Sequence, residues 1–477
     1  MGESFEMNYA AEQKEYLAKK FKFSVSNNWL QVILIAIIAI ACGYLLTEDS
    51  KFQFQPLFIA LVILLIIKPH LGLYAIFLSD IWFSYHEAVI SRRTIILFFI
   101  VSIYMIYFLY NKKKIHIDRK VKYIVYIVFV LLLWGLITDF LINEVPLKNL
   151  YGTFAKLWSP FLIALLMYFF IENQKILNRF IYVIIFGVSV SGLIGILQFF
   201  FGGVFYNIVP HPEHLSEAIG EGKIFGLSGI PHIYASQIAS TIPLTLVIIL
   251  SQHKFHKILS ISFVILAIAL FLTFERSAIF GCAISIITLF LFILKNKNVI
   301  KISILILILL LLFSVLSRMS ERSERLFQAE GSALGRIPLF ISALFICKDN
   351  PFGVGRGRYG EEVENYLWQL NRFENYQVVT VTTPHNQFLN LLVYWGFPGL
   401  ILLILFYYQI FKQINYIRIA TLNRYTRTIS IGLLFSFIAY IINSMFHNNG
   451  AFTGDPFHWY MIGVAFTIIK LESRKNL

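Results

Sequence analysis

Three histidines are the side chains of this sequence best suited to moving a proton. His385 follows Thr-Thr-Pro and precedes a long apolar run, which predicts that it lies at the N-terminus of a membrane helix. The positive end of a helix disfavours the imidazolium form, so a histidine there is suited to accept a proton. His447 and His232 flank other apolar runs and are weaker candidates on the same reasoning. The alternative for each is an ordinary capping or interfacial role.

Four arginines are suited to binding an anion. In FLTFERSAIFG the pair Glu275–Arg276 separates two apolar runs. A charge at the end of a membrane span costs free energy unless it has a partner or reaches water. Arg276 is therefore predicted either to face an anionic group in a cavity or to pair with Glu275 in a tight turn. Arg336 begins an apolar stretch, and Arg356 and Arg358 lie among glycines, either as a phosphate-binding loop or as a solvated turn.

The sequence contains no motif that indicates a cofactor. We find no acidic metal motif on the side of the histidines, no HExxH, no GxSxG and no GxxxxGK[ST]. Cys42 and Cys282 lie in apolar runs and Cys347 stands alone, so neither a disulfide framework nor a zinc site is predicted. The chemistry is therefore predicted to need no cofactor and no metal.

The composition places these residues in a membrane. Of 477 residues, 58% are hydrophobic and 14% are charged, against roughly a quarter charged in soluble domains. The net charge of +14 is spread between apolar runs, which is typical of basic residues flanking membrane spans and not of a nucleic-acid-binding face. The bilayer is therefore the predicted solvent.

Fourteen apolar runs are candidates for membrane helices. They lie near 29–46, 54–67, 71–84, 94–110, 121–141, 154–171, 178–201, 231–250, 256–273, 275–294, 299–316, 386–412, 428–446 and 456–470. The second and third are short, so 12–14 spans are predicted. The predicted fold is an all-α polytopic membrane bundle with a cytoplasmic segment 1–28, helices over 29–316, a long external loop 317–385, helices over 386–470 and a cytoplasmic tail 471–477.

The distribution of lysine and arginine sets the predicted orientation. Basic residues concentrate near 112–122, 295–301 and 418–427, which the positive-inside rule places in the cytoplasm. The loop 317–384 then lies outside. Its segment 334–347 has apolar residues at helical spacing, which predicts an amphipathic helix on the protein or in the membrane interface.

The stretch TTPHNQFLNLLVYWGFPGLILLI resembles the signature of the O-antigen ligase/polymerase family. His385 and Asn386 are followed by nine residues, then Gly396, and Gly399 closes the pattern. FLTFERSAIFG and GRIPLFISALFICKDNPFGVGRGRYG are similar to two further stretches of the family, so the resemblance covers about 225–412. One departure is Phe280, where the ligases commonly have leucine.

The resemblance implies a metal-independent, inverting glycosyltransferase of the GT-C type. Its donor would be a glycan linked to undecaprenyl diphosphate, used at the periplasmic side of the bacterial inner membrane. By position, His385 would activate the acceptor hydroxyl, and Arg276 and Arg336 would hold the diphosphate. The residues expected to bind the diphosphate or glycan are Arg356, Arg358, Asn386, His232 and His447.

Three functions stay open at this point. A ligase would transfer the glycan to lipid A–core, which is the acceptor we favour. A polymerase would join lipid-linked repeat units into an O-antigen, capsule or exopolysaccharide. A lipid-linked-glycan flippase would also need many spans, but transporters usually show paired repeats and broken helices at corresponding positions, and the sequence shows neither.

The predicted orientation can be tested in whole cells. A Glu362→Cys variant should react with a membrane-impermeant thiol reagent, because the loop that contains this residue is predicted outside the cytoplasm. Labelling that appears only after the cells are opened would reverse the topology.

Overall fold

The structure is a computed structural model that describes residues 68–82, 101, 117–145, 154–207, 222–251, 255–293, 336–356, 358–370, 384–447, 452 and 455–474. Within these ranges the regular elements are all helices, which confirms the all-α membrane bundle. The predicted segment 1–28 and the predicted spans 29–46, 54–67 and 299–316 lie outside the described residues, as does 94–110 except for one position.

Thirteen helices are described. They are α1 Pro69–Trp82, α2 Arg119–Leu136 continued by a π-helical Ile137–Ile142, α3 Phe154–Trp158 continued by Ser159–Phe170, α4 Gln174–Phe201, α5 Gly203–Tyr206, α6 Pro231–Leu250, α7 His256–Leu272, α8 Arg276–Ile293, α9 Arg336–Asp349, α10 Tyr359–Leu370, α11 Gln387–Ala420, α12 Arg424–Ser444 and α13 Pro456–Ser473.

These helices agree closely with the apolar runs of the sequence. Helices α2, α4, α6, α11 and α12 are long and apolar enough to cross a bilayer, and α3, α7 and α8 are shorter apolar helices. Helix α9 confirms the helix predicted at 334–347. The chain is thus a multi-pass membrane protein.

Short polar side chains fix where several helices begin. Each accepts a hydrogen bond from a backbone amide of the first turn that has no partner within its own helix. The capping residues are Asp118 for α2, Asn173 for α4, Asn386 for α11, Asn423 for α12 and Asp455 for α13.

Helix α13 lies at the centre of the bundle. Every residue from 456 to 471 is buried, as expected for a helix that is apolar on all sides. It packs on α3, α1, α11 and α12, while α12 also packs on α6 and α8. The peripheral helices instead expose large apolar side chains at helical spacing, as on α2 at Tyr126, Phe129, Val130 and Leu133. In water these faces would be unstable, so they are the surfaces that face lipid.

Helix α11 is broken at Gly396. This residue has φ 67° and ψ −165°, which is outside the helical region. Tyr407 donates a hydrogen bond to Gln387 Oε1 at 3.3 Å. Gln387 lies nine residues before Gly396, and Tyr407 lies eleven residues after it. In a straight helix they would be about 30 Å apart. The segment 387–395 therefore folds back along the first turns of the spanning segment 397–420.

The segment 350–355 satisfies the backbone groups that the break leaves without helical partners. In a membrane protein such groups must find partners within the protein. The bonds are from Val354 N to Val393 O at 2.9 Å, from Gly355 N to Tyr394 O at 3.0 Å, from Phe397 N to Pro351 O at 3.0 Å and from Trp134 Nε1 to Trp395 O at 2.8 Å.

Gly396→Ala should destabilise the protein by about 2–4 kcal/mol, because a Cβ at this backbone angle is strained and would collide with the Pro351 carbonyl oxygen. The measurement is thermal unfolding in detergent. Gly203→Ala is the control, since no atom lies within 4 Å of its Cβ position. Equal melting temperatures for the two variants would show that the break is not needed.

Candidate active site

The backbone around His385 is specialised. His385 has φ 52°, a left-handed conformation that few non-glycine residues adopt and that tends to occur at functional sites. The next residue, Asn386, caps α11: its Oδ1 accepts from the amides of Phe388 at 2.9 Å and Leu389 at 3.2 Å. The capping alternative for His385 is therefore wrong, because Asn386 fills that position and His385 precedes it.

The structure brings the three candidate histidines, His232, His385 and His447, together. The rings of His232 and His447 stack with centroids 5.6 Å apart and planes 9° from parallel. His447 Nε2 lies 3.3 Å from Glu275 Oε2. Charge interactions also link His232 with His385, Glu275 and Lys223. We call His232, Glu275, His385 and His447 the histidine cluster.

Glu275 is held at the turn between α7 and α8. Its amide donates to Thr273 Oγ1 at 3.2 Å, and the preceding Phe274 has φ 54°. Burial alone raises the pKa of the Glu275 carboxyl, but the hydrogen bond from His447 and the charges of His447, His232 and Lys223 outweigh burial and hold the pKa below its usual value. The cluster therefore contains a carboxylate anion at neutral pH.

Close packing of α8 on α12 places Glu275 beside His447. Ser277 Oγ donates to Asn443 Oδ1 at 2.8 Å, which joins the first turn of α8 to the last turn of α12. Gly281 lets the backbones approach, since a Cβ there would lie 2.7 Å from the Ala439 carbonyl oxygen. Glu275 and His447 each lie a few residues beyond this contact.

Gln198 of α4 holds the segment that leads to His232. Its Oε1 accepts from Phe225 N at 3.1 Å and Gly226 N at 2.9 Å, and its Nε2 donates to Gly226 O at 2.9 Å. The same segment carries Lys223 at one end and enters α6 at the other, next to His232. One buried amide thus fixes the approach to the histidine cluster.

The arginines fall into two groups. Arg276 begins α8 directly after Glu275, so it lies at the histidine cluster, and its side chain is exposed. Arg336 begins α9, and its side chain lies outside the described residues. Arg356 and Arg358 instead contact the end of α2.

Asp139 anchors the segment that contains Arg356. Its Oδ1 accepts from Arg356 N at 2.8 Å and from Trp395 Nε1 at 3.3 Å. Arg356 Nη1 is buried and has no hydrogen-bond partner within the described part of the chain. Arg358 is half-exposed, donates to Asn143 O at 3.1 Å and lies 3.9 Å from Glu361.

The acidic and imidazole groups do not form a metal centre in the part of the chain that the structure describes. No three or more His, Cys, Asp or Glu side chains there are placed to hold a metal ion. The chemistry that the site itself offers is proton transfer by imidazole and anion binding by arginine and lysine.

The O-antigen ligase family model matches residues 261–404. This part of the chain is therefore similar to the O-antigen ligase domain. The matched range includes Glu275, Arg276 and His385, whereas His232 and His447 lie outside it. No curated protein matches the chain. An O-antigen ligase domain indicates a glycosyltransferase-like enzyme with a lipid-linked glycan and an acceptor as substrates.

Several residues of the site were not identified from the sequence. Glu275 was expected only as a partner of Arg276, and it pairs with His447. Asp139 and Gln198 were not singled out, although each is a polar residue within an apolar run, which is costly in a membrane and usually marks a role. Their actual partners are distant in sequence and become visible only in the fold.

His385→Asn should lower turnover in glycan transfer by about 10²- to 10⁴-fold. Asparagine tolerates the left-handed backbone, and Asn386 still caps α11, so the variant should fold but lack the imidazole. Steady-state rates and melting temperature are measured together. A folded His385→Asn protein with near-normal transfer would remove His385 from the mechanism.

Proposed function

We propose that this protein is an O-antigen ligase that transfers a glycan from undecaprenyl diphosphate to lipid A–core. The observation that carries the proposal is that His232 interacts electrostatically with both His385 and Glu275, and that Arg276 begins α8 directly after Glu275. His385, Glu275 and Arg276 all lie within the matched domain. Such a site combines a proton acceptor with fixed cations and opens where a lipid-linked substrate can reach it.

His385 serves as the general base in the proposed reaction. It takes the proton from the acceptor hydroxyl as that oxygen bonds to the anomeric carbon of the glycan. The bond between this carbon and the diphosphate oxygen breaks, and its electron pair leaves with the diphosphate. Attack opposite to the leaving group inverts the anomeric configuration.

Arginines stabilise the charge that develops on the diphosphate. Arg276 lies beside the histidine cluster, and Arg336 begins the helix that packs against α11. A guanidinium group binds phosphate oxygens bidentately, so fixed arginines can do electrostatic work that many transferases assign to a divalent metal. We infer that transfer is metal-independent.

In this proposal the other candidate residues bind the diphosphate or the glycan. Arg356 offers a buried Nη1 donor, and Arg358 is partly accessible on the same segment. Lys223 adds a positive charge near His232. His232, His447 and Asn386 line the approach to His385. We place the protein in the bacterial inner membrane with this end of the bundle facing the periplasm, in agreement with the distribution of basic residues.

The purified protein, given an undecaprenyl-diphosphate-linked glycan and lipid A–core, should release undecaprenyl diphosphate and form glycosylated lipid A–core, with or without EDTA. Arg276→Ala should lower kcat/KM by about 10- to 100-fold, since a charge-assisted hydrogen bond contributes roughly 1.5–3 kcal/mol. Arg276→Lys should restore part of this loss.

Other outcomes would redirect the proposal. Chains that lengthen from the donor alone, without lipid A–core, would make the protein a polymerase. Movement of donor across vesicles without release of undecaprenyl diphosphate would indicate a flippase. Activity that EDTA abolishes and magnesium restores would overturn the metal-independent mechanism.

A further inference from the structure

The contact between Glu275 and His447 is the one close carboxylate–imidazole contact within the described part of the histidine cluster. Nε2 and Oε2 are 3.3 Å apart, and the two side chains are 20% exposed at Glu275 and 13% exposed at His447. They are thus largely shielded yet reachable from the end of the bundle. A carboxylate at this distance orients an imidazole and stabilises the charge that the ring acquires with a second proton.

The fold holds this pair rigidly. The bond from Ser277 to Asn443 and the close approach at Gly281 join α8 to α12 just beside it. The turn before α8 is fixed by the left-handed Phe274 and by the bond from the Glu275 amide to Thr273. A pair on two locked helix ends is pre-organised, which acid–base catalysis requires and a surface salt bridge lacks.

The pair also lies on the side of the site where the diphosphate is expected. Arg276 follows Glu275 directly, and Lys223 interacts electrostatically with Glu275. His385 enters from a different element, the segment directly before α11, and His232 interacts electrostatically with both His385 and His447. His447 therefore lies beside Glu275 and stacks on His232, and His232 interacts electrostatically with both His447 and His385.

We propose that Glu275 and His447 form an acid dyad in which protonated His447 gives its proton to the diphosphate oxygen as the glycan bond breaks. This inference rests on the proposed transferase function. The proton taken from the acceptor resides on His385, and the one lost from His447 resides on the released diphosphate, so one proton must return from His385 to His447 before the next turnover. Solvent at this end of the bundle, which reaches the partly exposed His447, carries that return. Glu275 touches no substrate and is a positioning residue for His447.

The test uses the full-length protein in detergent with an undecaprenyl-diphosphate-linked glycan and lipid A–core. His447→Gln should lower kcat by about 10²-fold and Glu275→Gln by about tenfold, with little change in the KM for donor. The double variant should be no slower than His447→Gln alone, because Glu275 acts only through His447. Glu472→Gln is the matched control and should leave kcat unchanged. This carboxylate accepts a hydrogen bond from Thr421 at 2.8 Å, at the C-terminal ends of α13 and α11, whereas His385 precedes the N-terminus of α11.

The pH profile of kcat, measured in the wild type and in His447→Gln, gives an independent test. A general acid must carry its proton and a general base must be free to accept one, so the wild-type kcat should decline on both sides of a pH optimum. The groups that surround the pair and shape this profile are His232, His385, Lys223 and Arg276. In His447→Gln the alkaline decline should be absent while the acidic decline remains.

A wild-type kcat without an alkaline decline, additive effects of the two substitutions, or normal kcat in a folded His447→Gln protein would each overturn the dyad. These results all presuppose a wild-type enzyme that transfers glycan. A wild type that releases no undecaprenyl diphosphate would instead contradict the proposed function itself, so the two failures are distinguishable.

Discussion

The break in α11 at Gly396 is the constraint on which the candidate active site depends. A backbone that leaves the helical path inside a membrane protein must have its amides and carbonyls satisfied elsewhere in the protein. Segment 350–355 and Trp134 meet this demand through four hydrogen bonds at the break. Because these four hydrogen bonds satisfy the broken backbone, segment 387–395 can fold back along 397–420. This segment directly follows His385 and Asn386, so it fixes the position of His385.

The same break explains why glycine recurs in this part of the chain. Gly396 has a positive φ and lies against Pro351, and Gly353 has a positive φ with its Cβ position blocked by the Tyr394 carbonyl oxygen. Any side chain at either position would be strained and would push the two backbones apart. The nine residues between Asn386 and Gly396 in the family motif are the folded-back segment 387–395. The spacing of the motif is therefore set by the length of this segment.

The histidine cluster illustrates how a membrane bundle can build a polar site without an extended soluble domain. Its members come from the start of α6, the turn before α8, the segment before α11 and the end of α12. All four are helix ends, where irregular backbone and charged side chains are least costly in a bilayer. Buried contacts such as those of Gln198 and Ser277 then set the distances between side chains that enter from different helices.

The sequence by itself determined the class of the fold, the positions of most described helices and the residue types that do chemistry. Apolar runs of membrane length leave few alternatives to helices, and α6 lies at 231–250 as the sequence predicted. The spacing from His385 to Gly399 resembles the signature of the family without any knowledge of the fold.

Only the tertiary structure decided which residues contact one another. The pairing of Glu275 with His447, the capping of α11 by Asn386 and the anchoring of Arg356 by Asp139 join residues through packing and backbone geometry. Hydrophobic periodicity reports which face of a helix is buried, but it carries no information about which distant side chain lies opposite.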